Sequence, residues 1–256
     1  MNQARGPRSV IVTGAARGIG LAIARGAAAQ GWTVVGIDLA GTELQSAFSD
    51  FPGAHGFVVG DICDDRVIER ACDMAAQCAP VTGFVANAGL IGPGASVDYS
   101  IAQWNRLTEV MLTASFTGSR MAARSMIETG TGGSIVMTSS VAGTVGFGGR
   151  AAYCAAKAGV QGLVRSLAVE WAPNKIRVNS VSPGAIDTSL QEAMKNTGHA
   201  STAAYLDHIP MNRTGQAHEI ADVVTFLLSD QSSYVTGANI PVDGGWSALG
   251  MGMAES

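Results

Sequence analysis

Apolar residues fall along this chain in two alternating rhythms. Short, nearly unbroken apolar runs are separated by stretches in which apolar side chains recur at helical spacing. The runs are SVIVTG at 9–14, TVVGID at 33–38, HGFVVGD at 55–61, GFVANAG at 83–89, GSIVMTSS at 133–140, IRVNSVSPG at 176–184 and ANIPVDGG at 238–245. Helical patterning covers 18–30, 64–78, 101–128, 151–172 and 217–229, with an irregular helical segment at 188–208. A strand that is apolar on both faces must be covered on both faces. Strands of this kind alternating with helices therefore predict a central parallel sheet flanked by helices on both sides, a doubly wound α/β fold. Ser100 and Gln103 have the spacing of a capping box, which predicts a helix start at Ile101.

Composition supports one core. The chain has 256 residues, 47% hydrophobic and 14% charged, enough apolar material for a single domain over 1–256. Its net charge is -4, and its 16 Lys and Arg are scattered, so it lacks the basic stripe that nucleic-acid phosphates require. Mean hydropathy is +0.23, yet charges, glycines and turn residues break every apolar stretch short of the ~18 residues a membrane span needs. No export signal is visible, and a cytoplasmic location is expected. Cys63, Cys72, Cys78 and Cys154 form no C-x-x-C pair, and the four histidines lack metal-ligand spacing, so reduced thiols and no metal are expected. The stretch 188–212, rich in small polar residues and Met, is expected to form a mobile flap over the substrate.

The first strand runs into TGAARGIG, with Gly14, Gly18 and Gly20 at the mouth of a helix. Glycines there let a pyrophosphate approach the backbone, and the helix N-terminus supplies unsatisfied N–H groups. Alone, such a turn also serves tight strand-to-helix packing. Asp38 strengthens the binding reading: it ends the second strand about 20 residues later, where an acid accepts hydrogen bonds from ribose hydroxyls. A carboxylate at this point repels a ribose 2′-phosphate, and neither Leu39 nor Ala40 offers a cation to hold one. NAD is therefore expected rather than NADP, with Arg17 inside the loop as the one residue that pulls the other way.

YCAAK at 153–157 places a phenol and an ammonium group four residues apart, neighbours on one helical face. Together with TGAARGIG, Asp61, NAG at 87–89, TSSVAG at 138–143, NSVSPGAIDT at 179–188 and SYVTGANIPVDGG at 233–245, in this order, the chain resembles a classical short-chain dehydrogenase/reductase over nearly its whole length. The resemblance implies a Rossmann-type domain and a Ser-Tyr-Lys catalytic core. Tyr153 would be the general acid/base, Lys157 would favour its phenolate and bind the nicotinamide ribose, and Ser140 would hydrogen-bond the reacting oxygen. Ser139 is the nearby competitor and reads as structural.

The same resemblance assigns Gly14, Arg17, Gly18, Ile19 and Gly20 to the pyrophosphate loop, Asp38 to the ribose, and Asp61 with Ile62 to the adenine. It assigns Asn87, Ala88 and Gly89 to the turn lining the cofactor, and Pro183, Gly184, Ile186 and Thr188 to the nicotinamide end. Two positions depart from the family pattern. Ala86 stands before Asn87 where an asparagine is common, and Met111 stands where the family's fourth catalytic residue, an asparagine whose main-chain carbonyl serves a water relay, is expected. The methionine retains that carbonyl, and its side chain reads as core filler.

These readings imply an NAD-dependent enzyme oxidising a secondary alcohol to a ketone. An NADPH-dependent reductase of ketones or 3-oxoacyl groups is the alternative within the class, and a nucleotide-binding sensor or scaffold without turnover is the alternative outside it. The loops expected to face the substrate carry Ile91, Val141, Phe147, Met194 and Tyr205. This mostly uncharged set argues against highly anionic substrates and leaves sugars or polyols, cyclic diols, hydroxysteroids and simple alcohols. The family also implies a homotetramer built through the long helices.

Overall fold

The computed structural model describes residues 6–49, 51, 55–188 and 206–249. The apolar runs form strands β1 (Ser9–Thr13), β2 (Thr33–Asp38), β3 (Gly56–Val59), β4 (Val81–Ala86), β5 (Gly133–Thr138) and β6 (Ile176–Pro183). Two short strands follow, β7 (Ile186–Asp187) and β8 (Gly215–Gln216), and then β9 (Asn239–Val242). Seven of them make one sheet in the order β3-β2-β1-β4-β5-β6-β9, and every pairing is parallel.

Parallel neighbours need crossovers, and helices supply them. These are α1 (Gly18–Ala29), α2 (Gly41–Ser49), α3 (Asp65–Cys78), α4 (Ile101–Thr108), α5 (Ala114–Thr129), α6 (Ala151–Trp171) and α7 (Ala217–Leu228). Side-chain alternation along each strand feeds two cores. Ile11, Phe84 and Ile135 pack with α3, α5 and α6 on one face, while Val10, Val12 and Val136 pack with α1 and α7 on the other. The chain order reverses between β1 and β4, so a crevice opens beyond their C-terminal ends, the place where such sheets bind ligands.

The capping box at the start of α4 is present: Ser100 Oγ accepts from the Gln103 N–H at 3.2 Å, and the Ser100 N–H donates to Gln103 Oε1 at 3.1 Å. Three features differ from the sequence reading. The helix α2 was not among the predicted elements, although Leu44, Ala47 and Phe48 do form a buried stripe. The stretch 101–128 is not one uniform helix but two, joined by a π-helical turn at Glu109–Thr113. The two-residue strands β7 and β8 pair with each other, Ile186 with Gly215 and Asp187 with Gln216. They tie the end of β6 to the start of α7. Most of the expected flap, 189–205, and with it Met194 and Tyr205, lies outside the described residues.

Candidate active site

Every residue assigned above to catalysis or to cofactor binding lies on the wall of one cavity at the C-terminal edge of the sheet. Its floor is the loop between β1 and α1. Gly14 and Gly18 have φ of +67° and +57°, in the left-handed region that favours glycine. At Gly20 a Cβ would overlap the carbonyl oxygen of Gly14. The loop is braced by Asn87, whose Nδ2 donates to the Thr13 carbonyl at 3.1 Å, and by Thr13 Oγ1, which accepts from the Asn87 and Ala88 N–H groups at 2.9 and 3.0 Å. Thr138 at the end of β5 donates to Asn87 Oδ1 at 3.3 Å. Three strand ends are thus joined, so Asn87 acts on the loop's shape.

Asp38, at the end of β2, is fixed from both sides. Its Oδ2 accepts from the Ala16 N–H at 3.0 Å and its Oδ1 from the Ala40 N–H at 3.1 Å. The charge is therefore held at the rim where a ribose would lie. Arg17 stands 3.9 Å from Glu43 with both side chains more than half exposed, a weak, screened pairing.

Asp61 is engaged by a residue that sequence reasoning did not name. Arg106 on α4 donates to Asp61 Oδ2 at 2.7 Å, and the Cys63 N–H donates to Oδ1 at 3.0 Å. Burial raises the Asp61 carboxyl, but these donors together hold it below its ordinary range. Burial and the neighbouring Asp61 push the Cys63 thiol up to about 11, so it stays protonated. No local pattern could have paired Arg106 with an acid 45 positions away.

At the other end of the cavity, β5 delivers Ser139 and Ser140 and α6 delivers Tyr153 and Lys157. Ser140 is buried, and its Oγ accepts from the Ala142 N–H at 3.1 Å, a bond that uses a lone pair and leaves the hydroxyl proton as a donor. Ser139 donates to the Lys157 carbonyl at 2.9 Å and accepts from Gln161 Nε2 at 3.1 Å. It clamps α6 onto β5. Lys157 Nζ is buried, donates to the Thr138 carbonyl at 2.8 Å and sits 5.9 Å from the centroid of the Tyr153 ring. Burial pushes the Lys157 ammonium down to about 8, which leaves it mostly charged at neutral pH.

Met111 lies in the π-helical turn, 1% exposed, with its side chain against the Gly89 turn. Its carbonyl accepts from Ser115 Oγ at 2.8 Å. The main-chain oxygen on which a water relay would depend is therefore shared with a hydroxyl.

Beyond β6, Gly184 is required by close approach, because a Cβ there would stand 2.8 Å from the Asp243 Cα. This turn brings Ile186 and Thr188 over the cavity. The substrate end is walled by Val141, as expected, and by Leu90 rather than the predicted Ile91. Phe147, also expected there, meets Trp246 with ring centroids 5.4 Å apart, and His208 lies tilted against Trp246 at 5.9 Å. Trp246 belongs to the short 3₁₀ turn Trp246–Ala248 that follows β9. Asp243 fixes it there by accepting from the Gly245 and Ser247 N–H groups at 3.0 and 2.9 Å. Arg150, three residues before Tyr153, also lines this end.

The wall fits a dinucleotide. A glycine cradle that a Cβ would fill, a fixed carboxylate at the end of β2 and a Ser-Tyr-Lys group line one crevice. Among the described residues, no cluster of three or more His, Cys, Asp or Glu could hold a metal ion, and no helix is long and apolar enough to cross a membrane.

Comparison with known proteins agrees. Residues 14–247 match the family described as Enoyl-(Acyl carrier protein) reductase. The chain is 38% identical to trans-4-hydroxycyclohexanecarboxylate dehydrogenase of Sinomonas cyclohexanicum, covering 93% of this chain and 92% of that one. It is also 38% identical to the 3-oxoacyl-[acyl-carrier-protein] reductase FabG of Escherichia coli K12, covering 92% and 95%. A protein of Agrobacterium tumefaciens solved with bound NADP superposes with a TM-score of 0.84 at 34% identity, covering 96% and 98%. With the motifs at its crevice and matches that span its length, the chain belongs to the short-chain dehydrogenase/reductase family.

Proposed function

We propose that the protein is an NAD-dependent dehydrogenase oxidising a secondary alcohol to a ketone, reversibly. The observation that carries this reading is the placement of Ser140, Tyr153 and Lys157 on one wall, with the Lys157 ammonium fixed on the Thr138 carbonyl beside the phenol ring. When bound, the nicotinamide supplies the hydride acceptor. The chain's residues manage the proton. Tyr153 as phenolate takes the hydroxyl proton of the alcohol, Ser140 donates a hydrogen bond to the same oxygen, and Lys157 as ammonium favours the phenolate.

The glycine loop with Arg17 and Ile19 would hold the pyrophosphate, Asp38 the adenosine ribose, and Asp61 with Ile62 the adenine. Asn87, Ala88 and Gly89, with Pro183, Gly184, Ile186 and Thr188, would flank the nicotinamide half. Preference for NAD rests on Asp38, whose two backbone donors keep a negative charge where a 2′-phosphate would lie. The hydroxycyclohexanecarboxylate dehydrogenase among the relatives supports a ring-borne secondary alcohol as substrate. A cytoplasmic homotetramer is the proposed setting, consistent with Phe116 and Ile127 of α5 and Val169 of α6 being exposed; light scattering in solution tests the assembly.

A second reading, an NADPH-dependent reductase, is supported by Arg17 at the mouth of the glycine loop, by the FabG relative and by the NADP-bound neighbour. Fluorescence titration with both dinucleotides, followed by alcohol oxidation and ketone reduction monitored through reduced-nicotinamide absorbance, separates the two. Tighter NAD binding with steady NADH formation from ring alcohols supports the first reading. Tight binding of NADP alone supports the second, and binding without any turnover would favour a sensor.

A further inference from the structure

We infer that Arg106 is a positioning residue for recognition of the cofactor's base. Paired with Asp61, it holds that carboxylate as an acceptor for the exocyclic amino group of adenine, so the pair selects adenine over a base that carries a carbonyl there. The inference rests on the dinucleotide-binding part of the reading above, in which Asp61 meets the adenine, and adds a residue from another element.

The backbone sets Asp61 beside the ribose site. β3 ends at Val59, which pairs with Asp38, and the Gly60 N–H donates to the Asp38 carbonyl at 3.0 Å. Asp61 thus follows next to the carboxylate proposed to hold the adenosine ribose. Asp61 and Arg106 line the cavity together with Ile62 and Val110, both buried and apolar. An acid at the border of an apolar wall suits a flat base with a polar edge.

Helix capping does not account for Asp61. The cap of α3 is Asp64, which accepts from the Arg66 N–H. Asp61 closes only a local turn, its Oδ1 accepting from the Cys63 N–H at 3.0 Å, while its Oδ2 accepts from Arg106 at 2.7 Å. A carboxylate has about four lone-pair sites, so these donors leave acceptor capacity over. The Asp61 side chain is 36% exposed on the cavity wall, where that capacity can be reached. Because an ionised carboxylate only accepts, it matches the amino group of adenine and repels a carbonyl oxygen in its place.

The direction taken by Arg106 carries the argument further. Arg106 lies in the last turn of α4, where a cation suits the macrodipole, and Glu109 three residues on offers it a partner close by. The shorter bond nevertheless runs across to another element: 2.7 Å to Asp61 against 3.4 Å to Glu109. A further contact of 3.4 Å reaches Cys63 Sγ. An ion pair whose side chains are 43% and 36% exposed adds little to stability. What it does supply is a carboxylate kept charged and fixed in direction at the wall, which lowers the cost of ordering when a ligand arrives.

The test measures Kd by fluorescence titration for NAD and for nicotinamide hypoxanthine dinucleotide, which carries a carbonyl oxygen in place of the amino group. The proteins are the wild type, Arg106→Met, Arg106→Lys, Asp61→Asn and the double variant Arg106→Met/Asp61→Asn. We expect the wild type to bind NAD about 10-fold or more tightly than the hypoxanthine form, the range for a hydrogen bond to a charged group. Arg106→Met should lose most of that factor on NAD while changing the hypoxanthine form by less than about 2-fold, because only the former uses the charge-assisted bond. Arg106→Lys should restore part of the preference. Asp61→Asn, whose amide can donate to a carbonyl, should bind the two dinucleotides nearly equally. Adding Arg106→Met to Asp61→Asn should change the ratio little, as for residues that act as one unit. Should Arg106→Met fail to fold, the ratios in Arg106→Lys and Asp61→Asn decide by the same criterion. Equal loss on both dinucleotides, or a wild type that binds both equally, would overturn the inference even if alcohols turn over. An Arg106-dependent preference for NAD without turnover of any alcohol or ketone would sink the dehydrogenase reading and leave the base site standing.

Discussion

Lys157 Nζ lies 5.9 Å from the centre of the Tyr153 ring and donates to the Thr138 carbonyl at 2.8 Å. One helical turn thus carries both the phenol and the ammonium, while a strand end fixes the ammonium in place. Removing either group should stop catalysis without unfolding the chain. Tyr153→Phe is expected to lower kcat by about 10²- to 10⁴-fold, the range for loss of a general acid/base. Dinucleotide affinity of Tyr153→Phe, measured by fluorescence, should change far less than its rate. A Tyr153→Phe enzyme with wild-type turnover would remove the basis of the mechanism.

The buried ammonium also makes stability depend on pH. Its value falls from 10.5 in the unfolded chain to about 8 in the fold, so between these pH values the unfolded state holds the extra proton. Stability from this group therefore rises with pH across about 8 to 10.5 and is flat below. The shift amounts to roughly 3 kcal/mol at most. Urea unfolding at pH 7.5 and pH 9.5 should show the wild type gaining on Lys157→Met at the higher pH. Parallel behaviour of the two proteins would contradict the burial of a charged amine.

Asp38→Asn keeps the shape at the end of β2 and removes the charge. Binding of NAD should weaken by about 10-fold or more, as for hydrogen bonds to a charged group. Binding of NADP should tighten, because the repulsion is gone and Arg17 is near. Fluorescence titration with both dinucleotides reads the change. An unaltered NAD to NADP ratio would show that Asp38 does not set the preference.

Gly20→Ala is expected to damage the cradle, since the added carbon would overlap the Gly14 carbonyl. A cost of about 1–3 kcal/mol, the usual range for forced overpacking, should appear as a lower Tm together with weaker dinucleotide binding. Gly146→Ala is the control, as nothing lies within 4 Å of the carbon it adds. Calorimetry on the pair distinguishes a local clash from a general intolerance of alanine.

Met111→Asn places an amide where the wild type buries a thioether at 1% exposure. An unsatisfied buried amide costs about 1–3 kcal/mol, so Tm should fall. If the Ser-Tyr-Lys group suffices, kcat should not rise more than a few-fold. Activity that appears only in Met111→Asn would instead support a chain evolved away from turnover.

Much of the site could be named because the motifs that carry the family resemblance are local in spacing. Tyr153 and Lys157 share a helical face, the glycines sit where β1 gives way to α1, and Asp38 ends a strand; each is a relation between near neighbours in sequence. The short helix α2 escaped notice because its buried stripe of Leu44, Ala47 and Phe48 spans barely one turn. The π-helical turn at Glu109–Thr113 was invisible for another reason: its widened hydrogen bond, Ala114 N–H to the Glu109 carbonyl, has no compositional cue. Arg150 was in view three residues before Tyr153, but nothing local said that it would face the cavity.

By itself the sequence determined the alternation of strands and helices, the two-sided burial of the sheet and the order in which the reactive groups meet the chain. These follow from periodicity and from backbone needs that act over a few residues. Only the tertiary structure decided that Arg106 neutralises Asp61 and that Asp243 delivers Trp246 to Phe147. Those contacts join residues far apart along the chain. Their energies exist only once the sheet has brought its strand ends together, and no local pattern encodes which distant partners will meet there.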